Sequence, residues 1–464
     1  MMRGNNLGTD SVSRLVLKLA VPTMIAQFVN VLYSIIDRMY IGNIPVDGPL
    51  ALAGVGICGP IVTLLSSFGT LIGLGGSILM AMRMGEGNEK RAKQILANSF
   101  LMLIAFSVVL TIAFLLLKNN LLMWFGASAD TFKYANSYLS IYTAGTFFAL
   151  MAVGLNYFIN CQGFSTVGMA TVLIGAVTNI VLDPIFIFVF DMGVAGAAVA
   201  TVLAQMASCV FALAFLFGKR TKIKISFGGY SRDIIIRIIA IGLSPFLILA
   251  TDSVLIIVLN TVLQRTGGAE GDMLIAAVTI VQSYMSLITG PMLGISSGTQ
   301  AIISYNYGAG RADRVRKAEK NILFLCLAFT TVMFIITRFV PEAFAGIFIN
   351  DAQGVQMAGW GIRTFTLAII PLSFQYVFID GLTAMGRTKT ALCMSMLRKA
   401  SYIIATIMMA YTISARASFY AEPLVDLVCS AISTVVFMKV FEKHLQRREE
   451  KVRLATAELQ YRYG

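Results

Sequence analysis

Acidic residues interrupt otherwise apolar stretches of this sequence. Four of them are Asp37, Asp183, Asp252 and Asp380. A carboxylate inside a membrane span is costly unless it faces a cavity or has a partner, so such acids mark candidate functional sites. Glu422 and Asp426 lie where the last apolar stretch begins, and we expect them at its interface with water.

Depth along the helices groups some of these acids with other oxygen-bearing side chains. Asp37 is expected near the outer end of the first span and Asp183 in the outer third of the fifth. Asn179 precedes Asp183 by one helical turn, and the helical rise places Thr201 about 10 Å below the outer surface. An all-oxygen set of this kind suits a hard cation such as Na⁺, or a proton held between two acids. Hydrogen bonding between helices is the alternative role.

Two prolines lie in the same spans as these acids. Pro22 precedes Asp37 by fifteen residues, and Pro184 directly follows Asp183. Proline removes a backbone donor, so both helices are predicted to bend and to free carbonyl oxygens. The pattern fits a static kink and a moving hinge equally well.

The elements that carry these residues are predicted to be membrane helices. The chain has 464 residues, of which 57% are hydrophobic and 13% charged, whereas soluble domains carry roughly a quarter charged residues. Its apolar blocks approach the roughly 20 residues that a spanning helix needs. The twelve spans are expected near 15–41, 50–82, 95–117, 137–159, 165–190, 194–217, 238–263, 274–304, 320–340, 360–384, 391–413 and 419–441.

Basic residues predict the orientation. The net charge of +13 would suit nucleic acid, but the 36 Lys and Arg residues lie between apolar blocks and form no basic face. Of these, 29 fall on the side of the termini and seven on the other, and only Arg363 is expected to lie deep. The positive-inside rule therefore places both termini and the 218–237 connection in the cytoplasm. We expect a multi-pass protein of a bacterial or archaeal plasma membrane.

The sequence repeats itself at a constant offset of 223 residues. The offset superimposes Pro22 on Pro245, Gly75 on Gly298, Gly85 on Gly308, Gly87 on Gly310, Arg91 on Arg314, Asn98 on Asn321 and Gly163 on Gly386. An even number of spans in each half predicts two parallel six-helix repeats. The expected divisions are an amino-terminal bundle (1–217), a connecting segment (218–237), a carboxyl-terminal bundle (238–441) and a charged tail (442–464).

The repeat also predicts an asymmetry between the two halves. At the same offset, the second half has different side chains in place of the acidic set. Asp37, Asn179, Asp183 and Thr201 become Asn260, Tyr402, Thr406 and Leu424. Cation coupling is therefore expected in the first half alone.

The sequence does not contain the residue patterns typical of nucleotide-binding proteins or of cysteine-rich metal sites. The G-x-G loops at 83–94 and 306–317 have no Walker GK[ST] and no preceding strand, so each is expected to be a turn before a basic helix start. The six cysteines include no CxxC pair. We expect no enzyme activity, no cofactor, no metal beyond a possible Na⁺, no ATPase subunit and no nucleic acid. The chain is expected to act as a monomer in the lipid bilayer.

The motifs together resemble the multidrug and toxic compound extrusion (MATE) family, in the branch with DinF-like and MepA-like members. They are the Pro22–Asp37 spacing, TNIVLDP at 178–184 and GEGNEKRAKQ at 85–94. The resemblance implies a V-shaped pair of bundles that exports amphipathic organic molecules against H⁺ or Na⁺. By match to the family, Asp37, Asn179, Asp183 and Thr201 are the coupling residues, and Asn30, Tyr33 and Asn156 line the substrate cavity.

The acidic and aromatic residues also indicate the class of cargo, and they bear on the alternative functions. A cavity with acids and aromatic walls favours lipophilic cations. The leading alternative is a flippase for a lipid-linked sugar, which would need cationic residues to hold a pyrophosphate. A membrane enzyme, a channel and a receptor are the remaining alternatives.

Overall fold

The chain is predominantly helical over the residues that the computed structural model describes, which are 5–45, 47–348 and 351–463. No strand occurs in this part of the chain. The first half contains α1 (Val12–Gly42), α2 (Gly48–Gly85), α3 (Glu89–Trp124), α4 (Ala129–Ala144), α5 (Thr146–Cys161), α6 (Ser165–Pro184) and α7 (Gly193–Phe217). The second half contains α8 (Arg232–Thr266), α9 (Gly271–Gly298), α10 (Gln300–Gly308), α11 (Ala312–Phe339), α12 (Pro341–Ala345), α13 (Ala352–Phe365), α14 (Ile369–Ala384), α15 (Thr388–Thr412) and α16 (Ala421–Tyr463).

The helices are long and apolar enough to cross a membrane. Within the described residues, eleven helical segments qualify, and the number becomes twelve if α4 and α5 form one span with a bend of 58°. Large apolar side chains point outward, such as Leu116 on α3 (79% exposed) and Phe324 on α11 (73% exposed). Such faces need lipid around them. The expected all-α polytopic membrane fold is confirmed.

The helices pack into two compact units. Residues 5–10 and 25–250 form unit 1, and residues 11–24 and 251–463 form unit 2. Both α1 and α8 contribute to both units, and each changes unit a few residues after its proline, Pro22 or Pro245. These packing units differ from the linear halves, whose boundaries at 218–237 and 442 stay predictions.

Glycines shared by the two repeats occupy equivalent turns. Gly87 and Gly310 have φ of +74° and +69°, and Gly163 and Gly386 have φ of +88° and +75°. An L-residue with a side chain rarely adopts this backbone region. Each of the four glycines lies two residues after the end of its helix, which is α2, α10, α5 or α14, and belongs to the turn that follows. The expected loops at 83–94 and 306–317 are therefore turns that lead into α3 and α11.

A second pair of repeat-related glycines permits close packing. A Cβ on Gly75 would lie 2.4 Å from the carbonyl oxygen of Ile238, and a Cβ on Gly298 would lie 2.2 Å from Thr23 Oγ1. In unit 1 the contact is with the first part of α8, and in unit 2 it is with the first part of α1. The repeat therefore preserves a helix crossing that has no room for a side chain.

Repeat-related asparagines anchor the starts of α8 and α1. Asn98 donates to the carbonyl of Gly229 (3.2 Å) and accepts from the Ser231 amide (3.0 Å), directly before α8 begins. Asn321 donates to the hydroxyl of Ser13 at the start of α1 (3.0 Å). The asparagines at 98 and 321 thus fix the entry of each crossing helix in its own unit.

Candidate functional site

The candidate site lies in unit 1, at the end of α6. Asn179 and Asp183 are one turn apart, and the Asn179 amide donates to the Asp183 carboxylate at 3.1 Å. The same amide donates to the Thr201 hydroxyl on α7 at 3.4 Å. All three side chains are buried, and Asp183 is fully inaccessible. The structure therefore brings together three of the four predicted coupling residues by direct contact.

The fourth residue, Asp37, comes from α1. It is partly buried, and its carboxyl group lies near enough to that of Asp183 for the two to interact electrostatically. Two carboxyl groups this close repel each other when both are charged, so the pair favours a shared proton or a bound cation. The expectation from helical depth placed the same four side chains in one pocket.

Several oxygen atoms of this site have no hydrogen-bond partner. They are Asp37 Oδ1, Asn179 Oδ1 and Asp183 Oδ2, and each is buried. Buried polar atoms are normally satisfied, so orphaned ones need an explanation such as an ion or a proton. Within the described residues, no group of three or more His, Cys, Asp or Glu side chains has metal-binding geometry. An ion here would therefore draw on amide and hydroxyl oxygens as well.

The backbone changes character directly after Asp183. Pro184 ends α6, and Ile185–Val189 continues as one turn of π-helix. Proline cannot supply the usual helical donor, and π-turns inside helices are often found at functional sites. α1, in contrast, runs without a break through Pro22. A hinge at either proline stays a prediction.

Tyrosines surround the carboxyl pair, and the sequence reasoning identified only one of them. Tyr33 on α1, one turn before Asp37, interacts electrostatically with both acids. Tyr138 and Tyr142 on α4 stack with ring centroids 6.2 Å apart, and Gln205 donates to the Tyr142 hydroxyl at 3.1 Å. The i, i+4 spacing of Tyr138 and Tyr142 was the only available signal, and it is equally typical of a helix core.

Two predicted cavity residues are not joined to the acids. Asn30 is exposed on α1. Asn156 donates to the carbonyl of Gly168 (2.8 Å) and accepts from Asn160 (2.7 Å), which ties α5 to the start of α6. Among the described contacts, none links Asn30 or Asn156 to Asp37 or Asp183. Their role in lining a substrate cavity stays a prediction.

Comparison with known proteins identifies the family. The family model described as MatE matches residues 22–185 and matches again at residues 247–412. The chain belongs to the MatE family. One match in each half of this MatE protein agrees with the internal repeat read from the sequence.

Relatives and solved structures agree with this assignment. The chain is 24% identical over 391 residues to multidrug export protein MepA of Staphylococcus saprophyticus, covering 84% of this chain and 85% of the relative. It is 22% identical over 386 residues to MepA of Staphylococcus aureus, covering 83% and 84%. Its fold is similar to that of an outward-facing multidrug resistance MATE transporter of the MOP superfamily, with a TM-score of 0.89, 22% identity and coverage of 97% and 99%. A MOP superfamily transporter from Pyrococcus furiosus gives 0.88, with 22% identity and coverage of 94% and 98%.

The buried basic residues of unit 2 are not the ones expected from the sequence of this MatE protein. Arg363 was expected to be the only deep basic residue, but it is partly exposed and pairs with Glu342 (2.8 Å). Arg398 and Lys399 lie inside α15 instead, with side chains 16% and 8% exposed. The sequence reasoning counted them with Arg387 and Lys389 on the cytoplasmic side, although they lie near the middle of α15.

The remaining intramembrane acids of unit 2 also have partners. Glu422 and Asp426 were expected at an interface with water, but Asp426 is fully buried, Glu422 is only 13% exposed, and both pair with Arg398 at 2.6 Å. Asp380 on α14 accepts from the Ser296 hydroxyl at 2.5 Å and lies near the buried Glu319 of α11. The sequence reasoning did not consider Glu319, because it lies just outside the span expected to begin at residue 320.

Proposed function

We propose that this MatE protein is a secondary active exporter that antiports amphipathic or cationic organic molecules against H⁺ or Na⁺ by alternating access. It works in a bacterial or archaeal plasma membrane with both termini in the cytoplasm. The observation that carries the proposal is the hydrogen-bonded cluster of Asp183, Asn179 and Thr201, to which Asp37 is added by its electrostatic interaction with Asp183. Asp183 is fully buried and Asp37 partly buried, and neither acid takes part in the salt bridges found among the described residues. Such a pair is suited to bind and release a cation.

Coupling follows from the charge of this pair. A bound cation neutralises the repulsion between Asp37 and Asp183, whereas its loss leaves two like charges in a buried site. A cation shifts the equilibrium between inward-open and outward-open states only by its differential affinity for them. The π-turn after Pro184 supplies a local means of changing the ligand geometry between states.

The driving ion is H⁺ or Na⁺. A proton needs only the two carboxyl groups. Sodium needs more oxygen atoms, and the Asn179 carbonyl and the Thr201 hydroxyl stand beside the acids to supply them. Sodium binding therefore needs the Thr201 hydroxyl, whereas proton binding does not.

The cargo is proposed to be small, organic and partly apolar, with lipophilic cations preferred. The relatives named multidrug export proteins support export of diverse molecules. Tyrosines near the acids supply aromatic faces, which attract cations. Positive charge on the cargo also complements the carboxylates of the span interiors.

Transport in proteoliposomes tests this proposal. A fluorescent organic cation is followed while H⁺ and Na⁺ gradients are imposed separately on the purified full-length protein. We expect one of the two gradients to drive movement of the cation, and Asp37→Asn or Asp183→Asn to abolish that movement. Gradient-driven transport at the normal rate in both variants would contradict the proposal.

A further inference from the structure

Unit 2 contains a network of buried charges formed by α8, α15 and α16. Arg398 donates to Asp426 and to Glu422, each at 2.6 Å. Its neighbour Lys399 donates to Asp252 on α8, also at 2.6 Å. The network holds three carboxylates and two cations.

The internal repeat places this network on the helices of unit 2 that are equivalent to those of the candidate coupling site in unit 1. Removing the offset of 223 brings Arg398 and Lys399 to Gly175 and Ala176, one turn before Asn179 on α6. The equivalent helices of the two repeats therefore both carry polar groups, but of different chemistry. Unit 1 has an acidic oxygen set and unit 2 has ion pairs.

Exposure divides the network into a closed part and an open part. Arg398, Glu422 and Asp426 have side chains 16%, 13% and 0% exposed, so this triad is closed. In the other pair, Lys399 is 8% exposed while Asp252 is 50% exposed. An approaching molecule therefore meets the Asp252 carboxylate, and the lysine lies behind it.

The position of Asp252 indicates which surroundings it faces. It lies near the middle of α8, where exposure of a carboxylate to lipid is strongly unfavourable. Its exposed side must therefore be open to water and to dissolved or membrane-borne molecules. Tyr376 on α14 interacts electrostatically with both Asp252 and Arg398, which adds an aromatic side chain close by.

We propose that Asp252 binds the positively charged group of the cargo and that Lys399 is its built-in competitor. This inference rests on the proposed function and assigns a cargo contact to unit 2. In the absence of cargo, the Lys399 ammonium forms an ion pair with the Asp252 carboxylate. A cargo cation takes its place, and the flexible four-carbon stem lets Lys399 turn aside.

Competition of this kind selects for a particular class of cation. The ammonium of Lys399 is compact and strongly hydrated, so only a ligand that gains additional contacts displaces it. A lipophilic organic cation gains these contacts from apolar and aromatic surroundings. An anion is disfavoured because both basic residues of the network are covered by carboxylates. The same arrangement argues against recognition of a pyrophosphate group.

Equilibrium binding to the purified full-length protein tests this inference without any ion gradient. Two probes of matched size and opposite charge are used, tetraphenylphosphonium and tetraphenylborate. We expect Asp252→Asn to weaken phosphonium binding about tenfold, and Lys399→Met to strengthen it by a similar factor, since a tenfold change corresponds to about 1.4 kcal/mol. Asp252→Asn uncovers the Lys399 ammonium, so it should not weaken borate binding, and Lys399→Met should not strengthen borate binding.

Controls separate charge recognition from misfolding. Glu270→Gln removes a half-exposed carboxylate that pairs with Arg416 in the same unit, and it should leave binding unchanged. If Lys399→Met does not fold, Asp252→Asn with Lys399→Met removes both charges, and it should bind phosphonium as weakly as Asp252→Asn. Unchanged phosphonium binding in Asp252→Asn, or selective loss of borate binding in Lys399→Met, would overturn the inference.

The same assay distinguishes this inference from the proposed coupling. Asp37→Asn with Asp183→Asn should bind phosphonium normally while it loses gradient-driven export. Normal export by that variant would refute the coupling proposal and leave the Asp252 result intact. Failure of the Asp252 and Lys399 predictions alone would refute only the cargo contact.

Discussion

The side-chain amide of Asn179 donates a hydrogen bond to the Asp183 carboxylate at 3.1 Å. Because this bond uses the nitrogen, the amide oxygen of Asn179 is left without a partner, as is the second oxygen of Asp183. Both free oxygens belong to buried side chains on one turn of α6. These two oxygens are therefore positioned to bind a cation together, and Asp37 on α1 supplies further carboxylate oxygens.

Neutralising either acid of the site should uncouple transport. Asp37→Asn and Asp183→Asn each remove one ionisable group while keeping side-chain size, so we expect folded protein with gradient-driven export reduced at least about tenfold. Asp191→Asn is the matched control, because Asp191 is exposed in the turn that follows the same helix. Equal loss in Asp191→Asn would show that the effect is not specific to the buried pair.

Replacement of Thr201 should distinguish the two driving ions. Thr201→Val keeps the shape of the side chain but removes an oxygen that contacts Asn179. If Na⁺ drives export, the Na⁺ concentration for half-maximal transport should rise about tenfold, or ~1.4 kcal/mol. If H⁺ drives export, the pH dependence should stay within about threefold of the wild type. Complete loss of transport in a folded Thr201→Val protein would fit neither ion.

The placement of these four side chains could be predicted from the sequence because helical geometry is local, whereas their role in coupling stays a prediction. The spacing of Asn179 and Asp183 fixes their relative placement within one turn, and depth matching brought Asp37 and Thr201 to the same level. The tyrosines on α4 were not found, since an aromatic residue in an apolar helix carries no sign of which neighbour it faces. Only the packing of α4 against α2 and α7 places Tyr142 beside Ser66 and Gln205.

Adding one methyl group at Gly75 should destabilise the protein. The new Cβ would lie 2.4 Å from a backbone oxygen of α8, which cannot move independently of its helix. Overpacking of this kind typically costs about 1–3 kcal/mol. We expect Gly75→Ala to lower the melting temperature of the detergent-solubilised protein.

Gly59 provides the control for this change. It lies in the same helix α2, and its added Cβ would meet no atom within 4 Å. Gly59→Ala should therefore leave the melting temperature unchanged or raise it slightly, because alanine favours a helix over glycine. A lower melting temperature for Gly59→Ala than for Gly75→Ala would contradict the proposed helix crossing.

The orientation predicted by the basic residues can be checked by labelling. Lys224→Cys lies at an exposed position of the 218–237 connection, and Asn120→Cys lies at an exposed position near the opposite end of α3. In a background with the exposed Cys393 replaced by Ser, an impermeant thiol reagent added to intact cells should label only Asn120→Cys. Labelling of Lys224→Cys from outside would reverse the topology.

The charge network of unit 2 shows what the sequence could not predict. Arg398 and Lys399 follow closely after Arg387 and Lys389, so their charges were assigned to the same cytoplasmic group. Their burial depends on partners far away along the chain, Asp252 on α8 and Glu422 and Asp426 on α16. A pairing between distant helices leaves no local pattern. The repeat, in contrast, was visible because its glycines serve equivalent turns and crossings in both units.

Equilibrium binding of the driving ion is the sharpest test of whether Asp37 and Asp183 form the coupling site. Sodium binding, or proton uptake at controlled pH, is measured on the purified wild type, on Asp37→Asn with Asp183→Asn, and on Asp252→Asn with Asp380→Asn. We expect saturable ion binding in the wild type and in the unit 2 variant, and none in the Asp37 and Asp183 variant. Retained binding in the Asp37 and Asp183 variant, with loss in the Asp252 and Asp380 variant, would place the coupling site in unit 2 and contradict the account.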